Sequence, residues 1–490
     1  MVRTRFAPSP TGYMHIGNLR SALYAWLFAR NQGGTFILRI EDTDQAREVP
    51  GAVDVIFDTL REVGMNWDEG PDIGGPVGPY VQSQRKEIYL KYARQLIESG
   101  HAYYCFCTKE ELEARREQAK ARGESFKYDK HCLRLSKEEI QKKLDEGVPC
   151  VIRQNIPTTG ETSFTDEIFG TITVENSTLD DNVLIKADGF PTYNFANVVD
   201  DHLMGITHVM RGMEYLSSTP KYNLLYEAFG WEIPKYVHLT PIMRDATHKL
   251  SKRDGDASYA DFREKGYLMG AIVNYIALLG WNPGTEQEKF TIPELIEAFS
   301  LKGLSKSPAI FDPLKMKWLN GEYIRALSPE QFGKHAEIWY ERAGVAQMDR
   351  DILNRLLQPR VEIFSEIPEK VAFLVERPPL RAELFTNKKN KVTPELSLDI
   401  LPQALNAFEA IDPWSEASIQ SAMAGLVERS GLKTGAIFWP VRVALSGLAV
   451  TPGGPVEIAA LLGREESLKR LASAIAFLKG VQTAHNGEQP

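Results

Sequence analysis

His15 lies in the run Ala7-Pro8-Ser9-Pro10-Thr11-Gly12-Tyr13-Met14-His15-Ile16-Gly17-Asn18. A glycine-bearing turn between a β-rich stretch and a helix lets the backbone approach a nucleotide closely, and a helix N-terminus favours phosphate. His15 can donate to a phosphoryl oxygen as charge builds in a transition state. Far downstream, His248-Lys249-Leu250-Ser251-Lys252-Arg253 offers two lysines as mobile point charges suited to a triphosphate. Each run alone has a plainer reading: a surface histidine in a strand–turn–helix, and a solvated basic loop. A third group, Cys105, Cys107 and Cys132, is a soft-ligand set for tetrahedral Zn2+; the alternative is three reduced, partly buried thiols. Cys150 has no partner pattern and is expected in the core.

The elements that must position these residues are readable from periodicity. Val2 to Ala7 predicts a strand, closed by the Pro8-to-Gly12 turn. His15 to Arg30 predicts a helix with Leu19, Leu23, Trp26 and Leu27 on one apolar face. Thr35 to Ile40 reads as a second strand and the segment around Val53 to Val63 as a second helix, an alternation that predicts a parallel sheet. The stretch from about 100 to 185 changes character, with cysteines, charged helices and short β runs such as Thr171 to Val174, and reads as an insertion. Val183 to Lys186 then resumes a strand and Thr207 to Arg211 predicts another. Beyond Pro329 the pattern is helical: Ile419, Met423 and Leu426 recur at helical spacing, as do Leu468, Leu471, Ile475 and Leu478. The helix ending near Arg429 meets a Ser430-Gly431 stop.

Composition sets the outer bounds. A chain of 490 residues is too long for one core and implies about three to five domains. Hydrophobic content of 43% and charged content of 25% suit a soluble globular protein, and four cysteines do not make a disulfide scaffold. No apolar run approaches the ~20 residues a membrane span needs, so a cytoplasmic location is expected. A net charge of −8 argues against indiscriminate nucleic-acid binding but leaves room for one basic groove.

Together the first two runs resemble the HIGH and KMSKS signatures of class I aminoacyl-tRNA synthetases. They depart at the last His and at the Met, but keep His15, Lys249 and Lys252. The resemblance covers essentially the whole chain and narrows to the bacterial-type glutamyl-tRNA synthetases. Phe6 to Gly12, Arg39-Ile-Glu-Asp-Thr-Asp44, Pro191 to His202, Arg211 to Pro220 and Phe311 to Asn320 carry it. It implies an α/β, Rossmann-type catalytic domain (1–95 and 187–240) split by an inserted α+β acceptor-binding domain (96–186). A stem-contact domain (241–325) would carry the basic loop, followed by an all-α anticodon-binding region in two parts (326–380 and 381–490).

The same resemblance implies the chemistry. ATP would contact Pro8, Ser9, Thr11, Gly12, His15, Gly17, Asn18, Lys249, Ser251 and Lys252, with Mg2+ as cofactor. Glutamate would sit among Arg5, Ser9, Glu41, Tyr193, Asn197 and Arg211: Glu41 suits an ammonium, and guanidinium groups suit planar carboxylates. Glutamate carboxylate would attack the α-phosphate, and the terminal adenosine of tRNA(Glu) would then take the glutamyl group, with His15, Lys249 and Lys252 stabilising charge. Many family members hold zinc in the insertion with a fourth ligand two residues after the last Cys. Here that residue is Arg134, which leaves Tyr128 or His131 as the fourth donor. Members that reject tRNA(Gln) carry Arg where Gln358 stands, so tRNA(Gln) is an expected second partner, and the family is usually monomeric. The competing readings are a glutaminyl enzyme, disfavoured by Arg211 and the helical C-terminal half, and a non-catalytic RNA-binding paralogue, disfavoured by the intact charged residues.

Overall fold

Strands Arg3–Phe6 and Thr35–Leu38 are short and buried along most of their length, as expected of a parallel sheet covered on both faces. The computed structural model describes residues 1–12, 14–124, 126–250 and 258–487. The two strands pair in parallel, from Arg3 opposite Thr35 to Phe6 opposite Leu38. The crossover between them contains helix Ile16–Asn31, which buries Leu19, Leu23, Trp26 and Leu27 as its periodicity requires. At the other edge, the Thr207 N–H donates to the Arg3 carbonyl and leads into strand His208–Gly212. That strand pairs in parallel with Lys235–Leu239, residue 208 opposite 235 through 212 opposite 239.

Two segments differ from expectation in where they pair. Val183–Ile185 does not resume the parallel sheet. It runs antiparallel to Val151–Gln154 in a three-stranded sheet with Ala102–Cys105, because Leu184 and Ile185 bury with Leu96 and Phe195. Conversely, the hairpin Glu161–Asp166/Gly170–Glu175, from the middle of the inserted stretch, reaches the parallel sheet by placing Asp166 beside Tyr236. The two charged helices of that stretch, Lys109–Ala121 and Lys137–Asp145, both start with reciprocal caps, Thr108 with Glu111 and Ser136 with Glu139.

Backbone contacts divide the chain into two units. The first comprises Met1–Glu264 with Met269–Pro313, and the second comprises Lys265–Leu268 with the chain from Leu314 onward. In the second unit every described element is helical, apart from an isolated bridge between Asn387 and Val392. Helices Pro394–Glu409, Glu416–Ser430 and Thr434–Ser446 pack on Pro455–Gly487, which is interrupted at Gly463. Helix Glu416–Ser430 buries Ile419, Met423 and Leu426 and stops at Gly431, whose φ of 66° no β-carbon-bearing residue adopts cheaply. Among the described residues no helix is long and apolar enough to cross a membrane.

Candidate active site

The carboxyl ends of the parallel strands open into a cleft of about 260 Å3, the position at which open α/β sheets bind ligands. Arg5, Pro8, Ser9, Thr11, His15, Gly17, Asn18, Glu41, Tyr193, Arg211 and Lys249 all line it. Gly12, with φ of 122°, shapes the preceding turn without lining the cleft. Asn197 is buried and off the cleft wall, its amide donating to the Tyr193 carbonyl one helical turn back at 2.6 Å. Ser251 and Lys252 lie outside the described residues. Arg20, Glu214, Tyr215 and Thr240 also line the cleft, and no motif singled them out.

His15 serves as the N-cap of helix Ile16–Asn31, its Nδ1 accepting from the Gly17 N–H at 3.0 Å. With Nδ1 accepting, a neutral ring carries its proton on Nε2. A Cβ at position 17 would lie 3.2 Å from Nδ1, so a larger residue there would press the His15 ring out of place. Lys249 reaches the same cleft from the other side through a tight turn. It bridges antiparallel to Met243, and Asp245 accepts from the Thr247 and His248 N–H groups, both at 2.9 Å.

Beneath the cleft lies a buried charge network. Asp201 accepts from Arg5 Nε and Nη2 at 3.1 and 3.2 Å and from Arg39 Nη1 at 2.8 Å. Asp200 accepts from Arg85 Nε at 2.7 Å, Gln82 at 2.9 Å and the Tyr89 hydroxyl at 2.8 Å. Glu41 receives Arg39 Nη2 on Oε1 at 2.9 Å, while its Oε2 takes no partner among the described residues. Arg5, Arg39 and Arg85 are thus matched by Asp200, Asp201 and Glu41, which is how buried charges are tolerated. Burial pushes the Glu41 carboxyl up, opposed by Arg39 and Arg5, whereas the same guanidinium groups outweigh burial at Asp201 and hold its carboxyl down.

Arg211 is outside this balance. It is 6% exposed and forms no ion pair with a carboxylate among the described residues. Its Nε donates to His238 Nε2 at 3.1 Å and its Nη2 to the Thr219 hydroxyl at 2.8 Å. The rings of Tyr222, Tyr236 and Tyr215 surround it at 4.8 to 5.5 Å. A desolvated cation facing a cleft, with its own carboxylates spent elsewhere, is a receptor for an anionic group.

A second cluster lies in the inserted stretch. The sulfurs of Cys105, Cys107 and Cys132 are mutually within 4.8 Å, with 3.6 Å between Cys107 and Cys132. The Tyr128 hydroxyl is 3.3 Å from the Cys105 sulfur and 3.4 Å from that of Cys107, whereas His131 is exposed. A hydrogen bond from Cys132 holds the Cys105 thiol well below its usual range. Cys150 is half-buried at the edge of the same cluster, more exposed than a core residue. In the helical unit, Gln358 follows helix Arg350–Leu357, and its amide donates to the carbonyls of Ile324 at 3.1 Å and Leu327 at 2.8 Å.

Comparison with known proteins agrees with this geometry. Residues 1–318 match the family model of class I tRNA synthetases (E and Q), catalytic domain, and residues 316–475 match an anticodon binding domain. A glutamate–tRNA ligase of Clostridium botulinum is 59% identical over 481 residues, covering 98% of this chain and 99% of that protein. One of Clostridium tetani is 59% identical over 480 residues, with 98% of each covered. The crystal structure of a glutamate tRNA ligase from Elizabethkingia meningosepticum, in complex with its amino acid, superposes with a TM-score of 0.88 at 36% identity. It covers 97% of this chain and 99% of that one.

Proposed function

The chain belongs to the class I tRNA synthetases of the glutamate and glutamine branch, as a glutamate–tRNA ligase, and on that premise we propose how its cleft works. Glutamate binds with its side-chain carboxylate on Arg211 and its ammonium on the Glu41 oxygen that Arg39 leaves open. Arg5 takes a lesser part, because two of its donors are committed to Asp201. The α-carboxylate attacks the α-phosphorus of ATP; the bond to the bridging oxygen breaks and pyrophosphate leaves, giving glutamyl-adenylate. The terminal adenosine hydroxyl of the tRNA then attacks the activated carbonyl and AMP departs. His15 donates through Nε2, and Lys249 and Lys252 draw the charge that moves onto the leaving phosphates. Mg2+, when bound, neutralises phosphate charge.

The observation that carries this assignment is Arg211, a buried cleft cation with no carboxylate partner among the described residues and with Nη1 uncommitted, whereas Arg5 is matched by Asp201 and Arg20 is engaged by the carbonyls of Leu279 and Thr240. Glutamine, being neutral, would leave that cation unpaired, which is the stronger form of discrimination. ATP–pyrophosphate exchange with glutamate and with glutamine tests it. Exchange driven by glutamate alone supports the assignment, and equal exchange with both removes it.

The thiol cluster fits a structural zinc ion. Tetrahedral thiolates at a Zn–S distance of about 2.3 Å lie about 3.8 Å apart, close to the 3.6 Å between Cys107 and Cys132. Cys105, Cys107, Cys132 and Tyr128 would hold the ion, which would tie strand Ala102–Cys105 to the turn at 128–132. Gln358 supports a tolerant anticodon reading: it is uncharged and its amide is held by the carbonyls of Ile324 and Leu327, leaving position 358 no cation or spare donor to reject a base. The enzyme therefore also loads tRNA(Gln), and acts as a cytoplasmic monomer. Charging of purified tRNA(Glu) and tRNA(Gln) tests the first point; failure with tRNA(Gln) alone would remove the role given to Gln358.

A further inference from the structure

Arg211 is oriented by two residues that lie outside the cleft wall. Asp166 ends the strand Glu161–Asp166 of the inserted hairpin, and His238 lies in strand Lys235–Leu239. Asp166 Oδ2 is 2.7 Å from His238 Nδ1 and also accepts the His238 backbone N–H at 3.0 Å. Its Oδ1 accepts the N–H groups of Ile168 and Phe169 at 2.8 and 2.9 Å, so the carboxylate is fixed on both oxygens. His238 Nε2 faces Arg211 Nε at 3.1 Å and the Thr219 hydroxyl at 3.2 Å. Asp166, His238 and Thr219 are all buried.

The chemistry allows one arrangement. Arg211 Nε is a donor and nothing else, so His238 Nε2 must accept, and the ring proton must sit on Nδ1, where the Asp166 carboxylate receives it. A protonated or tautomerically inverted ring would aim a hydrogen at the guanidinium. Burial pushes the imidazole pKa down despite the bond to Asp166, which keeps the ring neutral. With Nε held by His238 and Nη2 by Thr219, the plane of the guanidinium is set, and Nη1 has no protein partner among the described residues. The orientation matters because guanidinium–carboxylate pairing is planar and bidentate.

We propose that Asp166 and His238 are positioning residues for glutamate selection: the inserted hairpin supplies a carboxylate that sets the His238 tautomer, and His238 aims Arg211 at the substrate's side-chain carboxylate. This rests on the assignment of Arg211 made above. It gives the inserted stretch a part in amino-acid recognition, distinct from any contact it makes with tRNA. The pairing of Asp166 with Tyr236 is what brings the hairpin within reach.

The test is KM for glutamate and for ATP in ATP–pyrophosphate exchange, with tRNA(Glu) present, for four full-length variants. His238→Leu removes the acceptor and should raise KM for glutamate roughly ten- to a hundredfold, the loss expected for a hydrogen bond to a charged group, with KM for ATP within about threefold. Asp166→Asn should do the same: with its oxygen kept by the Ile168 and Phe169 N–H groups, its NH2 faces Nδ1 and drives the ring proton to Nε2, against Arg211; it also serves if His238→Leu does not fold. His238→Gln restores an acceptor at that reach and should return KM for glutamate to within about fivefold of wild type. Arg211→Gln is the reference. Unchanged KM for glutamate in His238→Leu and Asp166→Asn, while Arg211→Gln raises it, overturns the relay alone. Equal rises for glutamate and ATP, or no rescue by His238→Gln, mark His238 as a packing residue and also overturn it. An unchanged KM in Arg211→Gln overturns the assignment of Arg211 and the relay with it.

Discussion

Replacing Arg211 with glutamine removes the cation but keeps a planar, hydrogen-bonding side chain of similar reach. In the wild type Arg211 is 6% exposed among three tyrosine rings, with no carboxylate partner among the described residues, so a bound glutamate side chain serves as its counter-charge. Breaking a buried ion pair by deleting one partner costs about 3–5 kcal/mol, and 1.36 kcal/mol is tenfold in rate. That gives a loss of roughly 10²- to 10⁴-fold in kcat/KM for glutamate. The lower half of the range is expected, because the cleft admits water to the stranded carboxylate. The loss should fall mainly on KM, since the side-chain carboxylate is bound alike in ground and transition states. KM for ATP should stay within about threefold, as Arg211 faces the amino-acid end. Preference for glutamate over glutamine should collapse in parallel. ATP–pyrophosphate exchange with tRNA present reads all of these. A drop below tenfold, or an equal rise in both KM values, would refute the assignment.

Protein purified without chelator should hold about one zinc per chain by elemental analysis, and Cys105→Ser should lose it; a content well under one in the wild type sinks the zinc assignment. Gln358→Arg would place a cation at the end of helix Arg350–Leu357 and break the bonds to Ile324 and Leu327, so charging of tRNA(Gln) should fall at least tenfold relative to tRNA(Glu). Burial pushes the His208 pKa from 6.5 down to about 4, so between those values the unfolded chain takes up a proton the folded one refuses. The folded state therefore loses stability as pH falls through that window. The stability difference between wild type and His208→Asn, measured by urea unfolding, should shrink from pH 7 to pH 4.5; a constant difference contradicts the shift.

The cleft-lining residues were legible because they sit in strings where strand, turn and helix signals adjoin, as in Phe6 to Asn18. The residues that hold them in place were not. Asp201 reaches Arg5 from 196 positions away and Asp166 reaches His238 from 72, and no periodicity encodes such pairings. Asp166 was further hidden because its strand reads as part of an insertion, yet it pairs beside Tyr236. Asn197 lies one helical turn from Tyr193, and the bond from its amide to the Tyr193 carbonyl is a local contact that the motif spacing alone does not reveal. Nor does sequence alone say which of Tyr128 and His131 lies against the thiols. Tyr128 and His131 are three residues apart, and the left-handed turn at Lys130, with φ of 54°, accompanies a buried Tyr128 and an exposed His131.

The most direct measurement is acid-quenched charging of purified tRNA(Glu) with labelled glutamate and ATP, by the wild type and by His15→Ala. The wild type should charge the tRNA to its plateau. The variant should fold alike but react roughly 10²- to 10³-fold more slowly, the loss typical of one donor to developing charge. No charging by the wild type, or charging by the variant at the wild-type rate, would contradict the account of the cleft.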